Sequence, residues 1–343
     1  MKLVNYNKFN NVMYNVLIKK NVPTTIANTL TTSLINTSLR GVDSHGIHLF
    51  PHYFKEIELN RLNINPVLSF KHTSNSTAIL DAKNTLGHHA GYKSMNEAIY
   101  LAKKTGIGIV SVKNSNHFGA AWFFTDIAAK SGMIGIALTN TEALVNAHNS
   151  KESFFGTNPF CFSAPMNNED PFCLDMATST VPWNKIKNYK QQNIELEYNW
   201  AYDVNGNITT DPHTANTLSS IATYKGFGLG MVIEILCSGL TNGPMSKHIA
   251  PLYDLTNNQE RKISHFFLAL DISKFTSTSQ FELYLSTMAN EIRKLPKSSA
   301  EDVMIAGDKE KRCMKIRKKR GIPLTEDKFE EFLMISKDFE TTI

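Results

Sequence analysis

Seven residues near the start of the chain, Arg40 to Gly46, combine a guanidinium, a carboxylate, a hydroxyl and an imidazole between two glycines. An imidazole titrates near neutral pH, so His45 can give or take a proton at little cost. The neighbouring Ser44 hydroxyl can orient a substrate oxygen, and glycine permits a close backbone approach to a ligand. These residue types favour proton transfer, although a histidine beside glycine is more often an ordinary loop residue.

The other histidines offer two further interpretations. His117 lies at the predicted end of a strand among small polar groups, which makes it a second candidate for proton transfer. His45, His48 and His52 have a spacing that could present three imidazoles on one helix face as a metal site. Pro51 interrupts that spacing, and no cysteine or carboxylate completes a ligand set in register. We therefore expect no metal.

Two polar loops contain groups that could hold a phosphate or a ribose. Gly156–Pro159 is turn-forming, and Asp175–Ser179 supplies a carboxylate followed by backbone N–H groups and hydroxyls, although Asp175 could equally be a helix cap. The dinucleotide signature G-x-G-x-x-G is absent, because the glycines from Gly226 to Gly230 are spaced G-x-G-x-G before an apolar helix. A nicotinamide cofactor would therefore need another fold.

Predicted helices and strands alternate along the chain and must bring these loops together. Helical spacing of apolar residues predicts helices within 8–40, at 51–59 and 91–105, one ending near 130, and others at 229–240 and 279–295. Buried apolar runs predict strands at 77–81, 106–112, 133–139, 160–165, 171–176 and 266–272. Residues 60–76 have the composition of a loop. The alternation indicates an α/β domain, with ligand groups in loops beyond the strand ends.

The composition is that of a globular protein, with 343 residues of which 42% are hydrophobic and 20% charged. The net charge of +5 is concentrated in one segment: residues 309–320 hold eight basic residues and one acidic residue, a local charge of +7. The remaining chain carries about −2. The segment therefore predicts one helix with a solvated basic face and not a nucleic-acid-binding surface.

The cysteines and the apolar segments indicate the cellular compartment of the protein. Four scattered cysteines form no C-x-x-C pair, as expected of buried thiols in a reducing compartment. The N-terminus has no uninterrupted apolar stretch of the secretory type. The most apolar run, Leu229 to Cys237, contains Glu234 and is too short to cross a membrane. We expect a cytoplasmic protein without a membrane partner.

Taken in order, the motifs resemble those of the type 2 malate/L-lactate dehydrogenase family of NAD(P)-dependent oxidoreductases. The matching landmarks are RGVDSHG (40–46), Asn116-His117, GTNP (156–159), DMATS (175–179), Trp200 with TTDP (209–212), KGFGL (225–229), HFFLALD (265–271) and Gly321-Ile322. They cover nearly the whole chain in a single order.

The resemblance implies an α/β fold with a non-Rossmann mixed-sheet cofactor domain of the sulfolactate dehydrogenase-like type. A smaller helical domain, residues 1–75 with 309–343, would carry the RGVDSHG motif, and residues 76–308 would form the mixed α/β region. It also implies a homodimer with the active site near the subunit interface. The absent G-x-G-x-x-G signature agrees with such a fold.

The resemblance also implies a reaction and its residues. Hydride would pass between NAD or NADP and a small 2-keto acid, 2-hydroxy acid or cyclic imine acid, with a histidine as general acid/base. The implied catalytic residues are His45, His117 and Ser44. The implied cofactor-binding residues are Thr141, Asp175, Met176, Ala177, Thr178, Lys225, Gly307 and Asp308. The implied substrate-binding residues are Arg40, His48 and Asn158. Asp175 would in addition hold an imidazole in its tautomer.

Three positions depart from the family pattern. Leu49 stands where most members have an arginine suited to a substrate carboxylate. Asn149-Ser150 replaces a glycine pair, and Ala306 replaces a proline. Two hypotheses follow: an active oxidoreductase, which the retained polar site residues favour, or a repurposed non-catalytic member that binds cofactor or a partner, which Leu49 favours.

Overall fold

The computed structural model describes residues 1–256 and 259–339, which form three sheets surrounded by helices. The strands are β1 Lys2–Val4, β2 Phe70–His72, β3 Thr77–Asp81, β4 Ile107–Ser115, β5 Met133–Thr139, β6 Val145–Asn146, β7 Ser153–Phe155, β8 Phe160–Met166, β9 Glu169–Met176, β10 Ala201–Tyr202, β11 Ile208–Thr209, β12 Thr217–Leu218, β13 Ile263–Asp271 and β14 Ile322–Leu324. The helices are α1 Tyr6–Lys19, α2 Thr24–Leu39, α3 Phe50–Glu58, α4 Gly87–Thr105, α5 Trp122–Lys130, α6 Trp183–Gln192, α7 Tyr224–Glu234, α8 Thr278–Arg293, α9 Asp308–Arg320 and α10 Glu326–Asp338.

The largest sheet has seven strands in the order β2–β3–β4–β13–β5–β8–β9. It is mixed, because β3 and β4 run parallel while the other neighbours are antiparallel. Successive side chains of a strand point to opposite faces. Phe267 of β13 accordingly packs in the core under α4 and α5, whereas Phe266 packs against Ile233 of α7. Helices thus cover both faces, which explains why β4 and β13 place apolar side chains on both faces over most of their length.

Both ends of the chain contribute to one helical core. β1 pairs antiparallel with β14, and Lys2 lies opposite Leu324. Phe332 of α10 packs on Phe9 of α1 and Phe50 of α3, with ring centroids 5.1 and 5.6 Å apart. This arrangement agrees with a helical unit built from both termini, although the large sheet already begins at Phe70.

An ion pair fixes the 40–46 loop against α9. The Arg317 guanidinium donates to both Asp43 carboxylate oxygens, at 2.5 and 2.8 Å, and also to the Ser38 carbonyl. On the other side of the loop, the Ile47 N–H donates to Ser38 Oγ at 2.9 Å. A Cβ at Gly46 would lie 2.0 Å from that oxygen, so only glycine fits there. One residue of the basic segment therefore has a structural function.

Some elements differ from the sequence-based expectation. Residues 60–76 include β2, which was expected to be loop, and a second sheet, β11–β10–β12–β6–β7, was not predicted because its strands are two or three residues long. α7 starts at Tyr224, so the glycine-rich KGFGL motif is itself helical. Among residues 1–256 and 259–339, no helix has the length and apolarity needed to cross a bilayer.

We expect Arg317→Gln to loosen the 40–46 loop, because it removes a charge-assisted, two-pronged contact. The free energy of unfolding should fall by about 1 kcal/mol, measured by urea denaturation. Lys319→Gln is the matched control, since Lys319 is an exposed residue of the same helix. Equal stabilities of the two variants would contradict the assigned function of the ion pair.

Candidate active site

Two histidine rings from distant parts of the chain stack on each other. His45 lies in a one-turn helix, Asp43–His45, directly after α2, and His117 follows the end of β4. Their ring centroids are 5.6 Å apart with an interplanar angle of 29°. The structure thus brings together the two histidines that the sequence singles out.

Each ring has a hydroxyl neighbour that restricts its tautomer. The Tyr53 hydroxyl of α3 lies 2.6 Å from Nδ1 of His117. Burial raises the pKa of Tyr53 well above its usual value, so this hydroxyl keeps its proton and can either donate to Nδ1 or accept from it. When it donates, Nδ1 of His117 accepts and the proton of the neutral ring lies on Nε2. Ser44 Oγ lies 2.9 Å from Nδ1 of His45, where either atom can be the donor.

Burial keeps both rings neutral at pH 7. Loss of water lowers the pKa of His45 to about 4 and holds that of His117 well below its usual value. His45 also lowers the pKa of His117, since two positive charges so close repel each other. A second positive charge on the pair is therefore less favourable than the first.

Two cavities meet at His45. The first, here called the Arg40 cavity, has a volume of about 380 Å³, and its lining includes Arg40, Ser44, His45, Gly119, Trp122, Thr157, Asp175, Met176, Ala177, Pro182, Gly307 and Glu310. The second, here called the Leu49 cavity, has a volume of about 470 Å³, and its lining includes Ser44, His45, Leu49, His117, Thr141, Glu142, Thr157, Pro182, Trp183, Lys247 and Tyr253. Ser44 and His45 line both, so one imidazole can face ligands in both.

Two side chains of opposite charge, Arg40 and Asp175, line the Arg40 cavity. Asp175 Oδ2 accepts the Trp122 N–H at 2.9 Å, at the start of α5, where the helix dipole favours a negative charge. Burial raises the pKa of Asp175 to about 6, and the positive charge of Arg40 opposes this shift. The hydrogen bond that the structure gives this carboxylate comes from a backbone amide and not from the expected imidazole.

The Arg40 cavity contains one basic side chain that could meet an anionic group of a ligand. The Arg40 guanidinium lies 4.3 Å from the Trp122 ring centroid, and its buried Nε has no hydrogen-bond partner in the described part of the chain. Gly307, which lines this cavity, has φ +93°, and a Cβ there would lie 3.2 Å from the Cys173 carbonyl oxygen, so glycine allows the chain to pack closely against β9. A buried donor and small lining residues are what a phosphate-bearing cofactor requires.

Behind the Leu49 cavity lies an ion pair that the sequence did not reveal. Arg261 Nη2 donates to Glu142 Oε2 at 2.5 Å, and Arg261 Nε donates to the Ala250 carbonyl at 3.0 Å. Glu142 Oε1 accepts the Leu252 N–H at 3.0 Å. Within residues 1–256 and 259–339, the buried Nη1 of Arg261 has no partner. In the sequence, this ion pair is indicated only by Arg261, a charged residue just before the apolar strand β13.

Two predicted ligand residues instead belong to buried networks. Asn158 Nδ2 donates to Glu234 Oε2 at 2.9 Å and to the Gly230 carbonyl at 3.1 Å. Thr178 Oγ1 donates to the Thr157 carbonyl at 3.0 Å. Neither side chain lines the Arg40 or the Leu49 cavity. Both instead support the backbone that forms the cavity walls.

Three further predicted residues also lie outside both linings. The Asp308 carboxylate pairs with Arg293 at 2.6 Å. The His48 ring hydrogen-bonds the backbone of Pro323, and burial lowers its pKa. Lys225 is exposed at the start of α7. Their contacts with ligands stay predictions. Among the described residues, no group of three or more His, Cys, Asp or Glu side chains could hold a metal ion.

We expect stability to fall as the pH drops from 7 toward 4. Burial lowers the pKa of His88 and of His265 to about 3, below the 6.5 of an exposed ring. Protons therefore bind the unfolded chain first, and each such ring contributes a slope of about 1 kcal/mol per pH unit near pH 5.5. His88→Leu should reduce the slope of unfolding free energy against pH by that amount. An unchanged slope in urea titrations would contradict the assignment.

Comparisons with known proteins each match most of the chain. A family model described as Malate/L-lactate dehydrogenase matches residues 4–333. The chain is 36% identical over 333 residues to the malate dehydrogenase of Pyrococcus abyssi, covering 94% of this chain and 91% of that protein. It is 30% identical over 266 residues to the ureidoglycolate dehydrogenase (NAD(+)) of Escherichia coli, covering 78% and 76%. The structure of the malate dehydrogenase from Entamoeba histolytica is similar with a TM-score of 0.94 and 28% identity, covering 100% of this chain and 99% of that one.

Proposed function

This chain belongs to the malate/L-lactate dehydrogenase family and is an oxidoreductase of small acids, and we propose that its histidine pair handles the proton of the reaction. The observation that carries the proposal is the stacking of His45 on His117 where two cavities meet. The substrate is a small 2-keto acid, 2-hydroxy acid or cyclic imine acid. NAD or NADP, when bound, supplies the hydride chemistry.

His45 is the general acid/base in this proposal. Its ring lines both cavities, so it can reach the substrate atom that lies nearest the cofactor. The contact between Nδ1 and Ser44 Oγ orients the ring and leaves Nε2 for the substrate oxygen. When a substrate anion is bound, its negative charge favours the protonated ring and offsets the pKa lowering caused by burial.

His117 orients the substrate oxygen and can substitute for His45. Tyr53 holds its tautomer with the proton on Nε2, which gives a neutral donor in the Leu49 cavity. A fixed donor aimed at an oxygen that gains negative charge lowers the barrier without reorganisation. Tyr53 is therefore a positioning residue that acts through His117.

In this proposal the cofactor binds in the Arg40 cavity. Asp175, Met176, Ala177 and Gly307, which the family resemblance implies as cofactor-binding residues, line this cavity, and we add Arg40 as a partner for a phosphate. Thr141 lines the Leu49 cavity, so its predicted cofactor contact requires a ligand that reaches into both cavities.

We expect the two histidines to respond differently to glutamine, which keeps an N–H donor but cannot transfer a proton. His45→Gln should lower kcat/KM by about 10²- to 10⁴-fold and remove its pH dependence. His117→Gln should cost about tenfold, because the donor is retained. Cofactor absorbance, followed with NADH or NADPH and a panel of 2-keto acids, gives both values. A larger loss in His117→Gln would exchange the two roles, and full activity of both variants would refute the proposal.

We propose a homodimer that buries the outer face of α7. This helix is apolar on nearly all sides, and Met231, Val232 and the residue that follows the helix, Ile235, are each about half exposed. A helix that is apolar all round is normally buried, so an outer face of this kind favours a second copy as its cover.

Replacing Ile235 by glutamate should convert the dimer to a monomer, because a carboxylate cannot be buried in an apolar interface without a partner. Sedimentation equilibrium measures the mass. Val67→Glu is the control, since Val67 is an isolated exposed apolar residue on another segment. A monomeric wild-type protein would refute the dimer.

We also propose a cytoplasmic location and two domains, residues 1–75 with 309–343, and 76–308. Cys161, Cys173 and Cys237 are buried free thiols, as is usual in a reducing compartment. The shared helical core of both chain ends supports the division.

A further inference from the structure

One wall residue of the Arg40 cavity, Cys173, has no part in the proposed reaction. It lies in β9, two residues before Asp175, and both residues line the cavity. Cys173 is 6% exposed, so the cavity is where its thiol meets a ligand or solvent. None of the other three cysteines lines the Arg40 cavity or the Leu49 cavity.

Cys173 belongs to a cluster of sulfur and hydroxyl groups on one face of the large sheet. Ser163 lies opposite Cys173 in the β8–β9 pairing, and Cys161 lies opposite Asp175. Paired residues, and residues two apart on a strand, share a face, so the two thiols are diagonal neighbours. Behind them, Thr125 Oγ1 lies 3.1 Å from Cys161 Sγ and 2.7 Å from Ser163 Oγ. The inner side of Cys173 is therefore lined by groups that can donate a hydrogen bond.

The surroundings of Cys173 favour its thiolate. Donation from the Cys161 thiol lowers the pKa of Cys173 below its usual value, and burial opposes this shift. The positive charge of Arg40 and the Ser163 hydroxyl lower the pKa further, whereas the charge of Asp175 raises it. Because the thiolate is the form of cysteine that attacks an electrophile, these neighbours make Cys173 more reactive than a thiol with apolar neighbours.

The Arg40 side chain supplies a second feature of a reactive site. It is 7% exposed and lines the same cavity, and its Nε has no hydrogen-bond partner in the described part of the chain. A guanidinium donor forms strong hydrogen bonds with anionic oxygens. Since its charge acts on Cys173, Arg40 is near enough to stabilise a negative charge on that sulfur or on an oxygen bound to it.

The other thiols lack this combination. Burial raises the pKa of Cys161 and of Cys237 well above the usual value, so both stay protonated. Cys313 is part-exposed on α9, where a Cβ at Gly41 would lie 2.8 Å from its Sγ. It meets solvent and does not line the Arg40 cavity. Access to this cavity and an environment that favours the thiolate therefore coincide at Cys173.

An atom added to the Cys173 sulfur would take up space in the cavity assigned to the cofactor. The Arg40 cavity has a volume of about 380 Å³, and residues 175–177 continue its wall after Cys173. Gly307 borders it as well, since a Cβ there would lie 3.6 Å from Cys173 Cβ. Modification of Cys173 and binding of a cofactor therefore compete for the same space.

We propose that Cys173 is a site of reversible oxidation, at which a hydroperoxide forms a sulfenic acid that excludes the cofactor from the Arg40 cavity. This inference rests on the proposed function, which places the cofactor there. The sulfur attacks one oxygen of the peroxide, an S–O bond forms and the O–O bond breaks. The sulfur is oxidised and the peroxide is reduced; with hydrogen peroxide, the departing hydroxide takes the proton that the thiol has lost and leaves as water. A small thiol restores the cysteine and is itself oxidised to its disulfide, with release of water.

The sheet geometry favours the sulfenic acid over a disulfide with Cys161. Diagonal neighbours on paired strands have Cα atoms about 7–8 Å apart, and disulfides rarely span more than about 6.8 Å. Both strands lie inside the seven-stranded sheet order or at its edge, paired along most of their length, so their separation is fixed by the ladder. Arg40 is then the partner for the sulfenic oxygen.

The first test maps the oxidised residue in the wild-type chain. The protein is treated with hydrogen peroxide and dimedone, which traps sulfenic acids, and its peptides are analysed by mass spectrometry. The adduct should form on Cys173 and not on Cys161 or Cys237. NAD⁺ or NADP⁺ at about ten times its Kd should slow adduct formation about tenfold, because the bound form is protected. Alkylation of Cys313 by iodoacetamide is the internal control, and its rate should not change with cofactor.

The outcomes of this test separate the inference from the proposed function. Absence of an adduct on Cys173, or a disulfide between Cys161 and Cys173 in its place, would overturn the inference and leave the oxidoreductase function intact. An adduct that forms equally fast with saturating cofactor would overturn the competition, and with it the placement of the cofactor in the Arg40 cavity. Turnover of a 2-keto acid with NADH or NADPH is measured separately and tests the oxidoreductase function itself.

The second test follows activity after peroxide treatment, with each variant compared with its own untreated sample. The wild-type enzyme should lose most of its turnover, and dithiothreitol should restore it. Restoration distinguishes the sulfenic acid from oxidation of Met176 in the same cavity, since a methionine sulfoxide is reduced only by dedicated enzymes. Cys173→Ser keeps a polar atom that peroxide does not oxidise, so this variant should keep its turnover.

Cys313→Ser is the matched control for the activity measurement. It removes the part-exposed thiol outside the cavity, so peroxide should inactivate this variant as it does the wild type. Equal inactivation of Cys173→Ser and the wild type would overturn the inference, as would a loss of activity that dithiothreitol does not reverse. If Cys173→Ser does not fold, as judged by thermal unfolding, the adduct mapping in the wild-type chain decides.

Discussion

The ion pair between Asp43 and Arg317 is the contact on which the site depends most. It joins the 40–46 loop to a helix near the other end of the chain. Two parallel hydrogen bonds between planar groups fix orientation as well as distance. Ser44 and His45 follow directly, so their directions are set by a contact that neither of them makes. The basic helix therefore positions the site through one side chain, while most of its other charges face water.

Removal of water determines the chemistry of that site. The two imidazoles are neutral because the surroundings do not solvate a charge, and a nearby positive charge increases the effect. The same low polarity strengthens the hydrogen bonds from Tyr53 and Ser44, which hold the rings in place. In the function that we propose, a bound substrate anion favours the protonated ring, so ligand binding as well as solvent pH sets the protonation state.

Much of this arrangement could be predicted from the sequence. The family resemblance is confirmed, and the central strands and the helix at 91–105 lie within a few residues of their predicted positions. Long apolar runs with capped ends have a strong local signal, which explains that success. The short strands of the second sheet have no such signal, because two residues show no periodicity.

Side-chain partners were harder to predict. Tyr53 lies 64 residues from His117 in the sequence, and Arg261 lies 119 residues from Glu142. No spacing rule connects such residues, since the fold alone brings them together. Asn158 and Asp308 show the opposite difficulty. A polar residue in a loop that binds a ligand and one that satisfies a buried network look the same in the sequence, and here both side chains are used by the protein itself.

The shared core of the chain ends has a consequence for biosynthesis. Lys2 pairs with Leu324, so β1 can complete its sheet only after residues 322–324 have left the ribosome. The central sheet, by contrast, can form from one continuous stretch before then. A chain that ends before α9 lacks Arg317 and with it the ion pair that fixes the 40–46 loop. The order of synthesis thus makes this loop one of the last parts of the molecule to reach its final position.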